Sequence, residues 1–213
     1  MRAPPHRQCQ VHLRLRSPQH EDRELQLVQG RSRIIWTGLG AASAALMLSL
    51  PLWERPAQGA VHAAMAVLLV YAAAHDAKTR IIPNGVVAAL ATLRLAELGA
   101  LAVSDVRGAL DASAASLAGA AAVLAVLLTT ACLMERRTGS AGVGGGDVKL
   151  LGTLGFCFGW EAGLLIAGLS CALMLAHRLI PRFGKPEADA FAFAPYIAVA
   201  AITVVFLHDA FSL

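Results

Sequence analysis

Charge is what this sequence has least of. Of its 213 residues only 15% are Asp, Glu, Lys or Arg, whereas a soluble domain of this length carries about a quarter. From Ile34 onward long stretches hold almost none, so the composition excludes an ordinary water-soluble globule and indicates an integral membrane protein. Cysteine is also sparse. Cys9, Cys132, Cys157 and Cys171 form no C-x-x-C pair, and three of them lie in apolar stretches. They read as buried inert thiols rather than zinc ligands or a disulfide framework. No second histidine stands at ligand spacing from His75, so no metal site is expected. His62, His177 and His208 read as interfacial polar residues. No internal repeat is visible, and no small-residue cleavage site follows the N-terminal basic region as a signal peptide would require. The length suits one helical bundle rather than several domains.

What is present is apolar and basic. The spanning requirement of roughly 20 apolar residues is met or approached over residues 34–53, 60–76, 85–103, 109–134, 147–158, 161–179 and 190–208. The fifth is short and ends at Gly159-Trp160-Glu161, a turn with an interfacial aromatic. The expected fold is therefore all-α, a polytopic membrane bundle of about six to seven transmembrane helices. Residues 1–33, polar, Arg-rich and without apolar periodicity, are expected to be a basic, disordered tail. Residues 34–213 are expected to form the membrane domain.

The pI of about 9.2 invites a nucleic-acid reading. The distribution of the basic residues supplies another. With the N-terminus in the cytoplasm, segments 1–33, 77–84, 135–150 and 177–189 face inward and hold 15 of the 18 Lys and Arg residues. That is a positive-inside pattern, and it accounts for the basicity through a lipid bilayer and without nucleic acid. Arg94 and Glu97 lie mid-span one turn apart and are expected to pair with each other.

Two segments carry candidate chemistry. The first is His75-Asp76-Ala77-Lys78-Thr79-Arg80-Ile81-Ile82-Pro83-Asn84: an Asp closes an apolar helix, and Pro83-Asn84 opens the next, with Asn84 as a good N-cap. The second is Gly144-Gly145-Gly146-Asp147-Val148-Lys149-Leu150, in which three glycines lead into an Asp at a helix start. Both carboxylates fall at the cytoplasmic ends of their spans, each several ångströms below the surface by a rise of about 1.5 Å per residue. Two close carboxylates share a proton. One then serves as base toward water and the other donates to a carbonyl oxygen, which is the requirement of peptide hydrolysis. Glycines beside them let backbone approach an extended substrate, and irregular backbone at that depth is tolerated where it lines a cavity.

An Asp several residues before I-P-N, together with G-x-G-D-x-K-L, resembles the type IV prepilin peptidases, which are GxGD-type intramembrane aspartic proteases. Phe191-Ala192-Phe193-Ala194-Pro195-Tyr196 resembles, with departures, the segment before that family's last helix. The resemblance covers about residues 55–208. It implies that Asp76 and Asp147 are catalytic, and that Gly144, Gly145, Gly146, Lys149, Pro83 and Asn84 shape the site or bind substrate. No cofactor is implied. The implied partners are prepilin or pseudopilin precursors, cut at the cytoplasmic face of a bacterial inner membrane. Larger members of that family carry paired C-x-x-C motifs and also methylate the new N-terminus. The sequence has no such pairs and is similar to the compact members that serve Flp/Tad pili, so methylation stays open. Two other readings stand beside this one: a proton-coupled transporter, whose carboxylates would sit nearer the midplane within repeated halves, and a non-catalytic pilus or secretion assembly protein. Presenilin-type proteases share the glycine-aspartate device but not Pro83-Asn84.

Overall fold

The structure, a computed structural model, describes residues 56–139, 144–179 and 192–211. The 1–33 tail and the first expected span, 34–53, lie outside the described residues. Every element within them is a helix: α1 (Pro56–Thr79), α2 (Asn84–Ser104), α3 (Val106–Thr138), α4 (Gly145–Leu179) and α5 (Ala194–Phe211). The first four are long and apolar enough to cross a membrane, and α5 carries a shorter apolar stretch, Ala194–Val205. This is a multi-pass membrane protein. The described residues hold five helical elements, one of which, α4, contains two of the expected spans.

The expected spans 147–158 and 161–179 form one helical element interrupted at Gly159, whose φ of 84° and ψ of 178° are non-helical. Only glycine adopts such dihedrals without strain. The chain turns back there. A Cβ placed on Gly163 would lie 2.8 Å from the Gly155 Cα, although eight residues in a straight helix are separated by about 12 Å. The two arms of α4 are therefore antiparallel neighbours, and residue 147 and residue 178 lie toward the same end. Gly119 of α3 packs at this crossing too, where a Cβ would run into the Gly155 carbonyl oxygen and lie 2.8 Å from the Gly159 Cα. Small residues drive such contacts because lipid offers no hydrophobic gain for helix association.

The first arm of α4 and the helix α5 are the interior of the bundle. Leu150, Leu151, Leu154 and Cys157 are buried in one cluster with Ile197, Ala198, Ala200 and Ala201. Met65, Leu69 and Ala72 of α1, Val86 and Leu90 of α2, Val123 of α3 and Ile166 of the second arm close around them. Large apolar side chains such as Val67, Val103, Leu110 and Leu165 point outward, as lipid-facing residues do. Of the cysteines, Cys157 is buried as expected, but Cys132 and Cys171 are exposed on the outer faces of their helices.

Mid-bundle, Arg94 pairs with Glu97 at 3.2 Å, in agreement with the expected ion pair. The Arg94 Nε–H also donates to the buried Ser116 Oγ of α3 at 3.1 Å, so the pair ties α2 to its neighbour. At the opposite end from Asp76, Asp105 separates α2 from α3. Its carboxylate caps α3 by accepting from the Gly108 N–H at 3.0 Å.

Candidate active site

α1 runs three residues past Asp76 to Thr79, rather than closing at the Asp. The helix ends in a left-handed residue, Arg80 (φ 57°), whose N–H donates to the Asp76 carbonyl at 2.8 Å. Left-handed dihedrals are ordinary for glycine and uncommon for arginine. The chain then turns through Ile81 and Ile82 to Pro83 (φ −65°, ψ 126°), which stands in the N-cap position of α2 with no side-chain cap. Asn84 is the first helical residue and is exposed, so it does not cap as expected. Proline's fixed φ starts this helix instead.

α4 begins on the glycines. The Gly144 carbonyl accepts the Val148 N–H at 3.2 Å, while Gly145 and Gly146 are already helical. Asp147 lies in the first turn, half-buried, and Lys149 is exposed on the same turn. The glycines therefore act locally. A Cβ on Gly144 would lie 2.9 Å from Asp147 Oδ2, and a Cβ on Gly146 would touch Ile82 at 3.4 Å. Ile82, which is buried, seats on the bare backbone beside Asp147. Gly145 has open space about it.

Asp76 is almost fully buried, at 5% relative exposure. Its Oδ2 accepts the Ala194 N–H of α5 at 3.1 Å. Phe193 caps α5, its carbonyl accepting from Tyr196 and Ile197 at 3.0 and 3.3 Å. The Ala194 N–H is thus one of the helix-start donors with no partner inside the helix, and the Asp76 carboxylate supplies the acceptor. Tyr196, one turn on, hydrogen-bonds the Nδ1 of His177 in the last turn of α4, which links the two ends around the carboxylate. His177, expected at the interface, is thereby a packing partner. His62 likewise lies against Phe158, with ring centroids 5.9 Å apart.

Four chain ends converge: the last turns of α1, the first turns of α4 and α5, and the turn before α2. The turn that follows Asp76 reaches the start of α4, where Ile82 lies against Gly146, the residue before Asp147. The backbones of α1 and α4 stay apart, no Cα of one coming within 8 Å of a Cα of the other, and the two helices meet through side chains such as His62 and Phe158. Chemically, this is a pair of carboxylates at one end of a bundle, one deeply buried and one half-open. Among the described residues no group of three or more His, Cys, Asp or Glu side chains is arranged to hold a metal ion.

Sequence reasoning missed Ala194, because a backbone donor has no residue signature. The Phe191–Tyr196 resemblance marked the stretch without its role. Ile82 was noted only as part of a motif, and its seat on Gly146 is a tertiary fact.

The sequence model of the type IV leader peptidase family matches residues 63–179, more than half of the chain. No curated protein matches the chain, and no solved structure does.

Proposed function

Because the chain belongs to the type IV leader peptidase family, we propose that it is an intramembrane aspartic endopeptidase with Asp76 and Asp147 as its catalytic pair. Its substrates are the precursors of type IV prepilin-like or pseudopilin proteins, and it removes their leader peptides at the cytoplasmic face of the inner membrane. The observation that carries this reading is the convergence of the two carboxylates from separate helices at one end of the bundle. One takes a proton from water while the other donates to the scissile carbonyl. The glycine-opened start of α4 and the turn over Ile82 leave backbone on which an extended leader lies, in keeping with a site-shaping role for Gly144, Gly145, Gly146, Pro83 and Asn84. The exposed Lys149 stands where a substrate carbonyl or a lipid headgroup would meet it.

The orientation follows from the basic residues. Lys78, Arg80, Arg136, Arg137, Lys149 and Arg178 all flank helix ends on the carboxylate side, a bias that supports a cytoplasmic face there and, with residues 34–53 as a further span, a cytoplasmic N-terminus. The first arm of α4 supports a recessed site. Residues 145–158 extend about 21 Å, short of a hydrocarbon core about 30 Å thick. With Gly159 near the far interface beside the exposed Trp160, Asp147 stays below the near surface.

The test is co-expression with candidate precursors. The wild-type chain removes the leader, and Asp76→Ala and Asp147→Ala do not. Leader removal by either variant at the wild-type rate rules out this pair.

A further inference from the structure

His75 immediately precedes Asp76 but takes no part in the chemistry above. Its Nδ1–H donates to the Ile81 carbonyl at 2.9 Å, across the turn that leaves α1. The same nitrogen lies 2.9 Å from Thr79 Oγ1, and the Thr79 hydroxyl donates back to the His75 carbonyl at 2.9 Å. A carbonyl accepts only, so the imidazole carries its proton on Nδ1. The first of these contacts spans Arg80, the residue held at positive φ among the described non-glycine residues, and the other two brace His75 from Thr79. Immediately beyond it, Ile82 rests on Gly146, one residue from Asp147.

We infer that His75 and Thr79 are positioning residues: they hold the left-handed turn at Arg80 closed, so that Ile82 seats on Gly146 and the Asp76 and Asp147 ends stay in register. An arginine at positive φ persists only where its surroundings impose that conformation, and the imidazole bridge is what spans it. The His75 Nδ1–H remains a donor in this neutral tautomer and in the cation, so the latch does not depend on the charge of the ring. The inference rests on the peptidase reading for its effect on rate, and on geometry alone for its effect on the turn.

The test uses the full-length protein in proteoliposomes with a prepilin-type precursor. It reads cleavage kinetics and, separately, hydrogen exchange of the peptide covering residues 77–84. An Asn amide nitrogen occupies the place of Nδ1, and a Gln nitrogen that of Nε2. His75→Asn is therefore expected to keep kcat within about three-fold of wild type. His75→Gln and His75→Ala are expected to lower kcat by about ten-fold or more, with KM little changed, and to speed exchange across the turn. Adding Arg80→Gly to His75→Ala removes the cost of the left-handed residue and is expected to restore much of the exchange protection and several-fold of the kcat. Rescue by Gln rather than Asn, or unaltered exchange in both His75→Ala and His75→Gln, overturns the inference. If His75→Ala does not fold, the contrast between Asn and Gln decides. If wild type cleaves no precursor, the peptidase reading fails, while the exchange data still judge the latch.

Discussion

Asp76 and Asp147 reach the same end of the bundle by different means. Asp76 is held from outside its own helix, by a backbone donor of α5, whereas the Asp147 carboxylate lies in space that Gly144 leaves open. That difference predicts how neighbouring substitutions act. Gly144→Ala puts a methyl group 2.9 Å from Asp147 Oδ2, and only the carboxylate has to move to admit it. The melting temperature in detergent should therefore stay near wild type while kcat falls by about ten- to a hundred-fold, as misplaced catalytic groups do. A large loss of stability with unchanged kcat contradicts this. Asp76→Asn and Asp147→Asn keep the shape of the side chain but remove the proton exchange. Each is expected to cost about three orders of magnitude or more in rate, the usual scale for one member of a catalytic set, with unchanged helical content by circular dichroism.

Among the helices, α4 is where sequence and structure part. Its two apolar stretches and the turn between them were legible, because Gly159 interrupts the run and Trp160 marks an interface. What the sequence does not state is that the reversal takes a single residue, or that Gly155 and Gly163 then meet. Those facts depend on the facing glycine of α3. Gly159→Ala forces a side chain into a glycine-only region at φ 84° and ψ 178° and should destabilise the fold by about 1–3 kcal/mol. Gly155→Leu fills the crossing with Gly119 and should destabilise it by at least as much through overpacking. Thermal unfolding in detergent checks both, and a wild-type melting temperature for Gly155→Leu refutes the crossing. Elsewhere the reading from sequence was close. The Pro83-Asn84 boundary was visible to within one residue, although Pro83 and not Asn84 takes the cap position, since a proline's fixed φ is itself a start signal. The Arg94–Glu97 pair was legible from spacing, but its tie to Ser116 of α3 was not, because spacing carries no information about a neighbouring helix. Both candidate aspartates were legible from motif and topology together. The contact between Asp76 and Ala194 was not, since 118 residues separate the partners.

At the scale of the whole molecule, the fold gathers six of the eight Lys and Arg among its described residues on one side with Asp76 and Asp147, while Arg107 lies beside Asp105 on the other and Arg94 is mid-bundle. Reporter fusions after Arg80 and Arg137 should therefore read cytoplasmic, and a fusion after Asp105 periplasmic. A cytoplasmic reading at Asp105 contradicts the orientation. α3, at 33 residues, is about 50 Å long and exceeds the hydrocarbon thickness, so it tilts or projects from the bilayer with Arg136 and Arg137 at its end. The central claim is that the convergent carboxylates cut a membrane-embedded precursor at its leader. Its most direct test is to incubate the purified protein in proteoliposomes with a precursor and read the new N-terminus by mass spectrometry. The account predicts one product, cut where the basic leader meets the apolar helix, from wild type, and none from Asp76→Asn or Asp147→Asn. The same product from either variant at the wild-type rate, or a cut on the periplasmic side of the apolar helix, would contradict it.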